Sequence, residues 1–86
     1  MKSSTTPSFW RAYAALPREI QQQARKAWRL WQANPRHSSL RFEKKGAYWS
    51  VRISRGWRAV GRFHGDILFW FWIGPHDEYE RILGRG

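Results

Sequence analysis

The 86-residue chain contains no cysteine, so it can build neither a disulfide framework nor a thiolate metal site, a usage that suits a reducing compartment. Its three histidines, His37, His64 and His76, stand far apart with no i, i+4 pair among them, and residue spacing therefore supplies no metal site. No glycine-rich loop precedes a helix, and no Ser/His/Asp set can be assembled. The longest apolar run, 67–73, is far below the ~20 residues of a membrane helix. The opening Met1-Lys2-Ser3-Ser4-Thr5-Thr6 has no apolar core of a secretory signal. Together these absences predict a soluble, cytoplasmic protein with no cofactor, no metal and no membrane partner.

Acidic residues are also scarce, and this is the strongest compositional signal. Sixteen Lys and Arg face six Asp and Glu, a formal net charge of +10, and twelve of the sixteen are Arg. The planar guanidinium fork suits phosphate and carboxylate and stacks on bases. A polyanionic partner is implied, either nucleic acid or a strongly acidic protein. Seven Trp, five Phe and three Tyr supply the apolar area that so small a chain needs, since a domain of this size buries only about 60–65% of its unfolded surface. One domain over 8–86 is expected, after a flexible polar tail over 1–7.

The organising segment is Ile67-Leu68-Phe69-Trp70-Phe71-Trp72-Ile73, bounded by Gly65-Asp66 and Gly74-Pro75. Seven large, β-branched or aromatic residues between turn signals predict a strand covered on both faces. Ahead of it, Thr6-Pro7 is an N-cap with proline at the first helical position, and Phe9, Tyr13 and Leu16 share a helix face. Pro17 opens a second helix, in which Ile20, Ala24, Ala27, Trp28 and Trp31 form one apolar stripe. Asn34-Pro35 ends it. Leu40 and Phe42 then alternate with Arg41 and Glu43 before a turn at Lys44-Lys45-Gly46. Alternation continues over 47–54 and 57–64, with turns at Arg55-Gly56 and Gly65-Asp66. A short helix follows Pro75. The predicted fold is α+β: an N-terminal helical hairpin on a four-stranded antiparallel sheet, with a short C-terminal helix.

This alternation sorts the side chains. If the apolar set faces the helices, the other sheet face carries Arg41, Glu43, Tyr48, Arg52, Arg58, Arg62 and His64, and Glu43 is its sole acid. Such a surface is expected to bind a polyanion.

The Leu16-Pro17 joint, Asn34-Pro35-Arg36-His37, Tyr48-Trp49-Ser50-Val51-Arg52-Ile53, Trp57-Arg58-Ala59-Val60-Gly61 and the closing Gly74-Pro75-His76-Asp77-Glu78-Tyr79 resemble, in order and spacing, the RelE/ParE superfamily. These are toxins of bacterial type II toxin–antitoxin systems, and the resemblance spans 8–83. Most members begin with a strand that joins the sheet; here the segment is polar and Pro7 follows at once, so that strand is expected to be missing or very short. The resemblance implies a ribosome-dependent mRNA endoribonuclease that inhibits translation, or a ParE-like inhibitor of DNA gyrase. It also implies an acidic cognate antitoxin as partner, alongside the ribosome and mRNA. For the nuclease, Arg52 and Arg58 match the sheet arginines that bind and stabilise phosphate, and His76 and Tyr79 match the C-terminal pair that supplies proton transfer or base stacking. Arg41, Lys44, Lys45 and Arg62 are the expected RNA contacts, and Glu43 lies where some members place a base. A non-catalytic nucleic-acid-binding module would use the same arginine face without chemistry.

Overall fold

The computed structural model describes residues 2–85, the side chain of Arg85 excepted. In chain order the elements are β1 (Lys2–Thr5), α1 (Pro7–Ala14), α2 (Arg18–Ala33), a single 3₁₀ turn (Ser38–Leu40), β2 (Glu43–Lys45), β3 (Tyr48–Ser54), β4 (Trp57–His64), β5 (Ile67–Pro75) and α3 (His76–Arg85). One five-stranded sheet has the order β1-β5-β4-β3-β2. The pairings from β2 to β5 are antiparallel, and β1 runs parallel to β5. The α+β class is as the sequence predicts.

The fifth strand is a departure from the four-stranded prediction. Lys2–Thr5 is β1 and not a flexible tail, with Lys2 opposite Ile67 and Thr5 opposite Trp70. Pro7 already belongs to α1, capped by Thr6, whose side chain accepts from the Phe9 amide. The reason lies in β5. A four-stranded meander would leave this most apolar strand on an open edge, with unpaired backbone groups. β1 removes that edge. The junction is pinned further by the Thr6 amide donating to the Trp70 carbonyl at 3.1 Å, and by the Ser8 hydroxyl donating to the Phe71 carbonyl at 2.8 Å.

A second departure concerns the strand expected from Leu40. Leu40 closes the 3₁₀ turn, and its burial comes from that turn. Arg41 adopts left-handed backbone angles, φ 45° and ψ 47°, and so redirects the chain and turns Phe42 into the core. β2 therefore starts at Glu43, Lys44 and Lys45 lie on the strand, and the reversal falls at Gly46 and Ala47, with Gly46 at φ +62°.

α1 and α2 cover one face of the sheet. Trp31, 2% exposed, meets Trp70 edge-on at 5.5 Å and Phe42 edge-on at 5.6 Å, and stacks on Trp28 at 5.7 Å. Val51, Ala59, Leu68, Trp70 and Ile73 form the sheet side of this core. At Gly61 the register with β5 shifts, and Phe71 is the extra residue between the partners of Val60 and Gly61. A methyl group added at Gly61 would lie 3.0 Å from the Phe69 carbonyl oxygen, Leu68 Cδ1 and Trp70 Cε3. The backbone oxygen cannot yield as a flexible side chain would. Gly61→Ala is expected to cost about 1–3 kcal/mol as an overpacked core substitution, seen as a lower urea midpoint with an unchanged slope.

Candidate functional site

The sheet face away from α1 and α2 is covered only in part. α3 crosses it and buries Val60 completely and Ser50 to 3% exposure. The helix start is fixed by the His76 amide donating to the Gly56 carbonyl at 2.8 Å, which ties it to the β3–β4 turn. Gly74, just before, is required by packing: a Cβ there would stand 2.5 Å from Cζ2 of Trp72, whose indole occupies that space.

Between α3 and the ends of β2, β3 and β4 lies an open cleft of about 400 Å³. Arg41, Lys45 and Arg58 line it as cations, Glu43 and Glu80 as acids, and His76, Tyr79, Ser50 and Leu83 complete it. Both acids are engaged. Glu43 Oε1 is 3.3 Å from Lys45 Nζ, and Glu80 Oε1 is 3.6 Å from His76 Nε2, one helical turn away. Among the described residues, neither Arg41 nor Arg58 has a carboxylate partner. The Tyr79 hydroxyl donates to Ser50 Oγ at 3.2 Å, and its ring packs 5.3 Å from the His76 ring.

Arg58 is the most constrained cation. Its Nη1 donates to the Ser54 carbonyl at 3.0 Å and to the Trp57 carbonyl at 2.9 Å, which hold the guanidinium against the hairpin. Burial lowers its pKa from the ordinary arginine value, and the positive charge of Arg52, its direct cross-strand partner, lowers it further. An arginine remains charged through such a shift. The consequence is a part-buried cation with no ion-pair partner among the described residues, to which an anion in the cleft would bring counter-charge.

Five of the eight site residues expected from the sequence therefore meet in one cleft: Arg41, Lys45, Arg58, His76 and Tyr79. Three do not line it. Arg52 stands opposite Arg58 in register but lines a neighbouring depression with Lys26 and Arg55. Lys44 pairs with Trp49, on the helix-covered side. Arg62 lies farther along β4, against His64, Phe69 and Phe71. Ser50 and Glu80 were not marked by the sequence. The signals they carry are faint: Ser50 is a small polar residue in the outward phase of β3, and Glu80 follows His76 by four. Among the described residues no cluster of three or more His, Asp or Glu is placed to hold a metal ion, and no helix is long and apolar enough to cross a membrane.

The family described as the ParE-like toxin domain matches residues 18–81, well over half of the chain. Among solved structures, the YoeB/ParE toxin from Agrobacterium tumefaciens is 26% identical with a TM-score of 0.66, covering 88% of this chain and 99% of that one. The RelB–RelE antitoxin–toxin complex from Methanococcus jannaschii matches at 15% identity and TM-score 0.69, over 91% of this chain and 95% of that one. The isolated E. coli RelE toxin matches at 14% identity and TM-score 0.62, over 98% and 96%. No curated protein is matched at the sequence level. The class is that of the RelE/ParE toxins of toxin–antitoxin systems, and the chain belongs to the ParE-like toxin family within it.

The Tyr79–Ser50 contact is directly testable. Tyr79→Phe strips a buried hydroxyl of its donor and is expected to cost about 1–3 kcal/mol. Adding Ser50→Ala should recover much of that loss, because replacing both partners by apolar groups can be nearly neutral. Chemical denaturation of the four proteins in the cycle measures the coupling.

Proposed function

We propose that this toxin is an mRNA endoribonuclease that acts on the ribosome and cleaves with its own side chains. The observation that carries the reading is the convergence of unpaired cations with His76 and Tyr79 in one cleft. Cleavage of RNA by its own 2′-hydroxyl needs a base, positive charge on the pentacoordinate phosphate, and an acid for the departing 5′-oxygen. Glu43 takes the 2′-hydroxyl proton. The 2′-oxygen attacks phosphorus, and Arg58 stabilises the charge that develops on the equatorial oxygens, with Arg41 and Lys45 on the adjoining phosphates. His76, oriented by Glu80, gives a proton to the 5′-oxygen as its bond to phosphorus breaks. Tyr79, held by Ser50 and close to Arg58, positions the phosphate. The products are a 2′,3′-cyclic phosphate and a free 5′-hydroxyl. Arg52 supplies long-range positive potential from beside Arg58.

The same charge calls for an acidic antitoxin, a chain that folds over the cationic face and is loosened by salt. Two of the structural relatives were solved as toxin–antitoxin complexes, which supports this partner. The ribosome as target places the toxin in the cytoplasm. A second reading, inhibition of DNA gyrase by protein contact, is favoured by the ParE-like family match.

Induction in bacteria, with 5′-end mapping of mRNA beside a gyrase supercoiling assay, separates the two. Arg58→Ala should lower the cleavage rate about 10²–10³-fold, the usual loss for one transition-state contact. His76→Ala should lower it by a comparable ~10²–10⁴, with circular dichroism unchanged in both. If both variants still arrest growth while mRNA stays intact and supercoiling is blocked, the gyrase reading replaces this one.

A further inference from the structure

Beyond the cleft, the same sheet face carries aromatic residues that the proposed chemistry does not use. Tyr48 of β3 and Phe71 of β5 reach toward each other above β4, with ring centroids 5.4 Å apart. Next to them His64 meets Phe69 edge-on at 5.6 Å. Thr6, Arg62, His64, Phe69 and Phe71 line a depression of about 390 Å³, and no acid lines it. Tyr48, Phe69 and Phe71 are half-buried, while Arg62 and His64 are exposed. α3 reaches the sheet at Ser50 through Tyr79, and among the described residues no α3 side chain lines this depression. Large aromatic side chains on the open face of a sheet supply π-faces on which a planar ligand can stack.

We propose that this patch is a base-stacking platform for single-stranded RNA leaving the cleft. Two arguments select RNA as the occupant. The patch is continuous with the cleft through Tyr48, two residues before Ser50 on β3, and through β4, where Arg62 lies four residues beyond Arg58. At ~3.3 Å per strand residue that separation is about 13 Å, and sheet-borne aromatics elsewhere stack two or three bases. Second, the pairing of an exposed Arg with open rings is what a strand bearing phosphates and bases requires, and stacking on a ring face tolerates any base. Phe69 and Phe71 take two successive bases beyond the cleft, and Arg62 holds the phosphate between them. The inference rests on the nuclease reading for the direction of the strand, and the test keeps the two apart.

The probe is a short single-stranded RNA, fully 2′-O-methylated so that it cannot be cleaved, compared with the same oligomer carrying abasic sites. Phe69→Leu and Phe71→Leu keep an apolar side chain and remove the π-face. Each should weaken binding of the base-bearing probe about 5- to 140-fold, from the usual alanine-scan value of one stacked base, and leave the abasic probe unaffected. Arg62→Ala should weaken both probes and reduce the salt slope by about one. On ribosomes programmed with 4-thiouridine mRNA, photocrosslinks should map to Tyr48, Phe69 or Phe71, a readout that needs no variant to fold. For the leucine variants, equal loss on both probes, or no loss on either, overturns the platform, as does an absence of crosslinks. If Arg58→Ala is inactive while the leucine variants bind normally, the platform falls and the nuclease stands. If wild-type protein cuts nothing yet the leucine variants lose RNA, the nuclease falls and the platform stands. Binding of an acidic peptide at Phe69 and Phe71, with no binding of either RNA at low salt, assigns the patch to a protein partner instead and overturns the proposal.

Discussion

The rest of the structure depends on enclosing β5. Leu68, Trp70 and Ile73 point into the helix-covered core, while Phe69, Phe71 and Trp72 belong to the other side. Such a strand cannot stand at an edge, where its backbone groups would be left to water or to another chain. Four polar residues solve this. Lys2–Thr5 need no apolar side chains, because their contribution is main-chain hydrogen bonding to a strand that already carries the hydrophobic load. The helical hairpin is then fixed relative to the sheet through Thr6 and Ser8, which reach the carbonyls of Trp70 and Phe71.

With one face consumed by the hairpin, only the other is left open to a partner. The short α3 covers only part of it and leaves a cleft whose walls come from four elements. Electrostatics there are unfavourable in the free protein: Arg52 and Arg58 are direct cross-strand partners, an arrangement that costs stability. Carbonyls of Ser54 and Trp57 moderate that cost by binding the Arg58 guanidinium, yet they bring no negative charge. A fold that keeps two arginines opposed while its nearby acids are occupied with Lys45 and His76 is poised for a polyanion, whether phosphate backbone or acidic partner.

The arginines were legible in the sequence because strand alternation has a period of two. Once 47–54 and 57–64 are strands, Arg52 and Arg58 must share a face, and the helix stripe tells which face is covered. His76 and Tyr79 stand at the end of the central strand, but their roles were legible only through resemblance to known toxins, since a short helix after Pro75 does not reveal which way it folds. Leu40 and Phe42 show the opposite failure. Their apolar alternation looks like a strand, but a 3₁₀ turn and the left-handed Arg41 bury the same two residues by another route.

By itself, then, the sequence determined the class of fold, the helical stripe, three of the antiparallel strands and the sign of the functional surface. These follow from local periodicity, turn residues and net charge, all written within a few positions of one another. Tertiary structure alone decided that Lys2–Thr5 is a strand, because its pairing partner lies more than sixty residues away and its own residues are polar. It also decided that Ser50 and Glu80 join the cleft, and that Lys44 and Arg62 stay outside it. Side-chain position within a face depends on the exact register and on where α3 comes to rest, and both are set by packing between distant segments rather than by any local pattern.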